Sequence, residues 1–319
     1  MLEIFGPVPS RRLGQSLGIN NIPPKHCTYS CVYCQLGKAL YMTTRRQSFF
    51  SPEYLVASVR QRLSELEAGN ETIDYLTVVP DGEPTLDNNL RELVHRLKEF
   101  AIPVAIITNA SLFWNAEVRE SLLEADWVSL KVDAISDLVW RKIDRPHKSL
   151  DHHEILAGIN QFAHRFRRNS QHKLMTETML VEGINTGIAE LRRLAEFIGP
   201  LQPDCAYLSI PTRPPAEADV VAADKTSLTQ AYDIYTSKIP CVEYLIGYEG
   251  NSFSNTGNSR NDILSITAVH PMREDAIQTL LERNGNDHSI VEQLVREQLV
   301  EVSCYNGNTY YVRNYSRKH

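Results

Sequence analysis

Past residue 50 the chain alternates between two hydrophobic rhythms. Residues 53–67, EYLVASVRQRLSELE, place Leu55, Val59, Leu63 and Leu66 at helical spacing. The β-branched run IDYLTVVP follows, and then a second helical stripe in Leu90, Leu93, Val94 and Leu97. PVAIITN reads as a buried strand, and a helix is predicted from about Ala116 to Glu124. WVSLKVDA, LMTETMLVEG and CAYLSIP repeat the strand pattern, each with a helical stretch behind it. With SLGINNI ahead of them, six strands lead towards helices. Strands alternating with helices imply right-handed parallel crossovers, and a continuous apolar run such as VAIIT suits a strand buried on both faces. The predicted class is α/β. Six units fall short of the eight that close a barrel, so an incomplete barrel or open sheet is expected.

Beyond residue 248 the grammar changes. GNSFSNTGNSRN is rich in Gly, Asn and Ser, which divides the chain into a first domain over 1–248, a linker over 249–261 and a second domain over 262–319. ILSITAV predicts a short strand. MREDAIQTLLERNG predicts a helix closed by Gly285, and DHSIVEQLVREQ a second helix. LVEVSCY and NTYYVRN are two strands joined through Asn306-Gly307-Asn308, a hairpin signal. Two helices followed by a hairpin resemble a winged helix. The helix that would enter a DNA groove carries Asp287, Glu292 and Glu297 against Arg296, the wrong balance for phosphate. Docking on protein, either the first domain, a partner or another copy, is the expectation for this unit rather than DNA reading.

Composition narrows the class. Lys and Arg total 33 against 39 Asp and Glu, a net charge of −6 that excludes a general polycation for coating nucleic acid or membrane. Hydrophobic content of 42% and charged content of 23% are ordinary for a globular chain. No apolar run reaches membrane-spanning length and the first residues lack a secretory h-region, so a cytoplasmic enzyme is expected. Six cysteines are too few for a disulfide scaffold, and three of them crowd together.

Those three are Cys27, Cys31 and Cys34 in HCTYSCVYCQLG, spaced C-x3-C-x2-C on a loop after the first predicted strand. Thiolates are the preferred ligands of iron–sulfur clusters and of zinc. Three on one loop suit a four-iron cube with one iron left open. A structural zinc normally takes four ligands in paired spacings, and the chain has no second CxxC; His26 is the one neighbour to complete a zinc set, awkwardly adjacent to Cys27. Inert buried cysteines are the third reading. Cys205, Cys241 and Cys304 lie far apart on or beside predicted strands, where buried cysteine is common.

The cysteine loop, with Tyr33 at its aromatic position, resembles the cluster motif of the radical S-adenosylmethionine (SAM) enzymes. The resemblance extends over residues 1 to about 248 through GPVPSRRLGQSLGIN, DGEPTL, ITNASL, SLKVDA, RPH and PTRPP, stretches similar to the branch of wyosine-forming tRNA enzymes and their uncharacterised relatives. It implies a partial (β/α)6 barrel of TIM type, a 4Fe-4S cluster on Cys27, Cys31 and Cys34, and SAM bound through the open iron. Reductive cleavage of SAM to a 5′-deoxyadenosyl radical that removes hydrogen from a substrate would follow. An electron donor such as flavodoxin or ferredoxin is implied as a partner. Gly82-Glu83-Pro84 would hold the SAM amino group; Asp81 stands where the family often has glycine, and the plain alternative is a Gly-Pro turn. Thr108, Asn109, Lys131 and Asp133 end the third and fourth strands and would reach the ribose and carboxylate. Lys131 reads equally as the carboxylate's charge partner or as a solvated strand-edge lysine. Val181 would flank adenine, as would Tyr33; core packing alone would also place both.

Charge layout bears on the substrate. Residues 1–46 hold six Lys or Arg against one Glu, and residues 141–173 hold eight against three Asp or Glu, a local +5 in each. Arg11, Arg12, Arg145, His147 and Arg213 are therefore candidates for gripping an anionic substrate, with a tRNA base first in line from the branch resemblance. The competing readings are an activase or maturase acting on protein or peptide, and a non-enzymatic zinc-binding regulator.

Overall fold

The computed structural model describes residues 3–68, 71–247, 257–268 and 271–314. Strands β1 (Ile4–Ser10) and β2 (Gly14–Ile19) form an antiparallel hairpin. A long loop then carries the two-residue strands β3 (His26–Cys27) and β4 (Tyr41–Met42). From α1 (Pro52–Ala68) the alternation begins: β5 (Tyr75–Val78), α2 (Leu90–Leu97), β6 (Val104–Thr108), α3 (Ala116–Ser121), β7 (Trp127–Lys131) and α4 (Asp137–Ile143). It continues through α5 (His152–Phe166), β8 (Lys173–Met179), α6 (Ile188–Leu201), β9 (Cys205–Ser209), α7 (Lys225–Thr236) and β10 (Val242–Leu245). One sheet of order β1-β2-β5-β6-β7-β8-β9-β10 results, parallel throughout except for β1. The six expected strands are present in chain order as β2 and β5 to β9. The sheet adds two to that count: β1 is broken up in the pattern by Gly6, Pro7 and Pro9, and the edge strand β10 exposes Glu243 and Tyr244.

Side chains alternate across this sheet. Val104, Ile106, Val128, Leu130, Ala206 and Leu208 face the helices and join the main core. Ala105, Trp127, Met175, Cys205, Tyr207 and Leu245 face the other way into a smaller core with Leu13. The β1–β2 turn thus tucks into the space the sheet curves around. No helix among the described residues is long and apolar enough to cross a membrane.

The C-terminal residues form α8 (Ser259–Thr267), β11 (Met272–Arg273), α9 (Glu274–Arg283), α10 (Ser289–Arg296), β12 (Val300–Tyr305) and β13 (Asn308–Arg313). Their three strands pair antiparallel in the order β11-β13-β12. ILSITAV, expected as a strand, is instead mostly helix: Asn258 caps α8 by accepting from the Asn261 N–H at 3.1 Å, and Ile263 and Ile266 share one buried face. The helix also starts inside the expected linker, of which residues 249–256 lie outside the described residues. The hairpin forms as expected, with Asn306 and Gly307 at positive φ. This unit has its own core, against which Val8 of β1 packs. Tyr305 donates its hydroxyl proton to the Pro211 carbonyl at 3.1 Å, and Tyr310 donates to that of Thr212 at 2.9 Å.

Candidate active site

The carboxyl ends of the parallel strands surround a cavity of about 310 Å³, lined by Val79, Thr108, Asn109, Lys131, Met179, Ser209 and the cysteine loop. That loop is clamped from two sides. The Lys25 N–H donates to the Asp81 carbonyl at 2.7 Å beyond β5. The Ser30 and Val32 N–H groups donate to Asp144 and Ile143 at 3.1 and 2.9 Å, and the His147 N–H donates to Thr28 at 2.8 Å. Backbone pairing thereby aims Cys27, Cys31 and Cys34, each partly exposed, into one cavity.

The donor set fits an iron–sulfur cluster better than a lone ion. A tetrahedral zinc with bonds of about 2.3 Å would draw its sulfurs to within roughly 4 Å of each other. Among the described residues the one set of three such donors within 4.8 Å is Cys205, Cys241 and Glu243, not the loop trio. As free thiols the three resist ionisation: burial pushes Cys27 up to about 12, and burial with the Asp144 carboxylate pushes Cys31 well up. Burial also raises Cys34, against the pull of Lys25. Thiolates here would need the positive charge of bound iron. The Asn109 Nδ2 lies 3.6 Å from the Cys27 Sγ and donates to the Thr28 hydroxyl at 2.9 Å, a side-chain donor aimed at a ligand sulfur.

The cavity gathers Tyr33, Gly82, Thr108, Asn109, Lys131, Arg11, Arg12 and Arg213 with the cysteines. Glu83, Asp133, Val181, Arg145 and His147 are not among its lining. Glu83 is 1% exposed and its carboxylate accepts from the Asn109 N–H at 2.8 Å, the Thr108 hydroxyl at 2.6 Å and the Thr85 N–H at 3.0 Å. It ties the end of β5 to the end of β6. Asp133 accepts from the Tyr33 hydroxyl and from the Met179 N–H, fixing the Tyr33 ring from behind. Val181 is buried in the main core. Arg145 pairs with Glu217, and the backbone around His147 backs the cysteine loop. Asp81 turns to the buried Lys25, whose Nζ is 3.4 Å away; burial holds that carboxyl at about 6 although Lys25 opposes it.

One residue that the sequence reading passed over organises the interior. Glu177 on β8 accepts from Lys131 at 3.2 Å and from Ser209 at 3.0 Å, and it pairs with Arg12, which lies over the Trp127 and Tyr207 rings at 6.0 and 5.9 Å. Burial alone would raise its carboxyl, but Lys131 and Arg12 hold it down at about 2. The Asp133 and Glu177 carboxylates keep Lys131 charged despite burial, with its Nζ 4.8 Å above the Tyr33 ring. The signal lay in Met175-Glu177-Met179, an acid between two methionines on one strand face. His152, the first residue of α5, is 7% exposed and stacks on Trp140 at 4.4 Å, and burial lowers its imidazole to about 4.

A parallel sheet whose strand ends enclose three sulfur donors, with a donor amide on one of them, defines a class of iron–sulfur enzyme. Residues 21–198 match the radical SAM superfamily, and the chain belongs to that family, whose members use a 4Fe-4S cluster and SAM. It is 44% identical over 316 residues to UPF0026 protein MJ1312 of Methanocaldococcus jannaschii, an alignment covering 98% of this chain and 97% of that one. Among solved structures it resembles a radical SAM methyltransferase from Sphaerobacter thermophilus, with 16% identity and TM-score 0.54 over 72% of this chain and 66% of that one. Streptococcus suis SuiB bound to S-adenosylmethionine is 13% identical with TM-score 0.51, over 71% and 49%. At these identities the two structures speak to fold alone.

Proposed function

We propose that Cys27, Cys31 and Cys34 hold the cluster and that the adjoining cavity receives SAM, with the hydrogen taken from an anionic substrate, a tRNA base first among them. When bound, the cluster and SAM supply one-electron cleavage of the S–C5′ bond and a carbon radical. The chain's own residues bind and orient. Lys131, kept protonated by Glu177 and Asp133, offers the SAM carboxylate a cation; Tyr33 offers adenine a ring face; Asn109 donates towards the Cys27 sulfur. Gly82 lines the cavity and offers its backbone to the SAM amino group; the His26 carbonyl oxygen would lie 1.9 Å from a Cβ there, so only glycine fits. The helices and the inner core exclude water beneath the site.

The observation that carries this reading is the meeting of the three sulfurs with Lys131, Arg11 and Arg213 in one cavity at the strand ends. Arg11, exposed, and Arg213, which donates to the Gln35 amide oxygen at 2.5 Å, line the cavity beside the cysteine loop. Their place at the cavity makes them the grip for substrate phosphate in this reading. The C-terminal unit is read as winged-helix-like, a docking module rather than a DNA reader. A flavodoxin or ferredoxin supplies the electron, and the setting is the cytoplasm.

Anaerobically reconstituted, reduced protein given SAM should release 5′-deoxyadenosine faster when a small-RNA fraction is added. RNA binding should weaken steeply between low and moderate salt. Arg11→Ala with Arg213→Ala should cost at least about tenfold in RNA affinity, each lost phosphate contact being worth roughly 1 kcal/mol, while iron content stays unchanged. Cys31→Ala should remove the brown absorbance and the deoxyadenosine together. Salt-independent RNA binding, or stimulation by a protein fraction alone, would overturn the RNA reading in favour of a polypeptide substrate.

A further inference from the structure

At the end of the sheet away from the cysteine loop, Cys205 begins β9 and Cys241 stands immediately before β10. The two strands are parallel with Ala206 opposite Val242, so Cys205 and Cys241 face each other directly across the ladder. Their backbones are joined there by the Ala206 N–H donating to the Cys241 carbonyl at 2.9 Å. Both side chains turn into the inner core, and their sulfurs are 2.7 Å apart, well inside ordinary sulfur–sulfur contact. Neighbouring strands bring opposed Cα atoms to about 4.8 Å, within the span a disulfide bridges. Cys205 is 4% exposed and Cys241 is half-buried, so an outside reagent reaches Cys241 first.

We propose that Cys205 and Cys241 form a reversible dithiol–disulfide pair, a modification site distinct from the cluster cysteines. The oxidant is a small-molecule disulfide. The Cys241 thiolate attacks one sulfur of the reagent, its S–S bond breaks, and one thiolate departs. The Cys205 sulfur then attacks the Cys241 sulfur, forming the internal bond and expelling the second thiol. The protein pair loses two electrons and two protons; the reagent gains both as two thiols. Glu243, whose carboxylate lies within 4.8 Å of both sulfurs, is placed to take up the Cys205 proton. The bond staples the edge strand β10 to β9, and β10 ends at Leu245, which borders the cavity, so oxidation fixes a strand that reaches the site.

The test uses the holoprotein prepared anaerobically, one portion kept with a phosphine reductant and the other equilibrated with oxidised glutathione. Free thiols are then blocked with a maleimide and the protein is digested for mass spectrometry. In the reduced portion both Cys205 and Cys241 should carry maleimide. In the oxidised portion the majority of chains should yield a Cys205–Cys241 linked peptide lighter by two hydrogens, with exposed Cys304 carrying only glutathione. Cys241→Ser should abolish the link without placing glutathione on Cys205. Glutathione remaining on Cys241 with no link, or full maleimide labelling of both sulfurs after oxidation, would overturn the proposal. So would stoichiometric zinc that shields both sulfurs in the untreated protein, which would make the trio with Glu243 a metal site; the wild-type measurements alone decide this even if the variant folds poorly.

Discussion

Glu177 is a carboxylate buried among aromatic rings with two cations drawn to it, and its consequences are measurable. Its folded value of about 2 lies below its ordinary 4.5, so its contribution to stability is full above about pH 4.5 and is lost as the pH falls towards 2. The depression corresponds to about 3 kcal/mol near neutral pH, counted once for the whole group and its partners. Glu177→Gln should therefore destabilise the fold by that order at pH 7 in urea denaturation, and the gap from wild type should narrow below pH 4.5. A gap that stays constant with pH would mean that the carboxyl is not ionised in the folded protein. At this scale the sequence was legible where neighbours along the chain stay neighbours in space, as with the three loop cysteines that line one cavity. It was not legible where partners meet only through folding: Glu83 is occupied by Thr108 and Asn109, 25 and 26 residues away, and Arg12 is engaged with Glu177, 165 residues away.

Among the elements, the junction between β5 and the cysteine loop is the narrowest. Gly82 pairs with His26 as an isolated bridge, and the neighbouring Glu83 N–H donates to the His26 carbonyl at 3.1 Å. A methyl group at Gly82 would have to push that carbonyl aside, a backbone shift costing typically 1–3 kcal/mol. Gly82→Ala should lower the melting temperature and, because Cys27 adjoins His26, reduce iron retained after reconstitution. An unchanged melting point with full iron would refute the strut. Helix and strand periods marked the six central units because each buries a whole face. They misread α8, where Ile263 and Ile266 satisfy both the β-branched signature of a strand and the i, i+3 spacing of a helix; the cap at Asn258 and the packing against α9 and α10 decide for the helix. Strand β10 escaped notice because half of its four residues face solvent.

For the molecule as a whole, the contact between the eight-stranded sheet and the C-terminal strands was not legible in the sequence, since a tyrosine hydroxyl leaves no periodic trace. Tyr305 and Tyr310 hold the carbonyls of Pro211 and Thr212, and the next residue, Arg213, reaches Gln35 beside Cys34. Replacing both tyrosines by phenylalanine removes two neutral hydrogen bonds, about 2 kcal/mol in all. Amide exchange at Thr212 and Arg213 should accelerate by roughly tenfold or more in that variant while the strands β6 and β7 keep their protection; equal protection in both proteins would show that the tether carries no load. The tether has a thermodynamic corollary. Two surfaces joined by one rigid chain of contacts are bound to reciprocity: whatever factor an occupant of the cavity imposes on the affinity of a molecule seated on the C-terminal unit, that molecule imposes in return on the occupant.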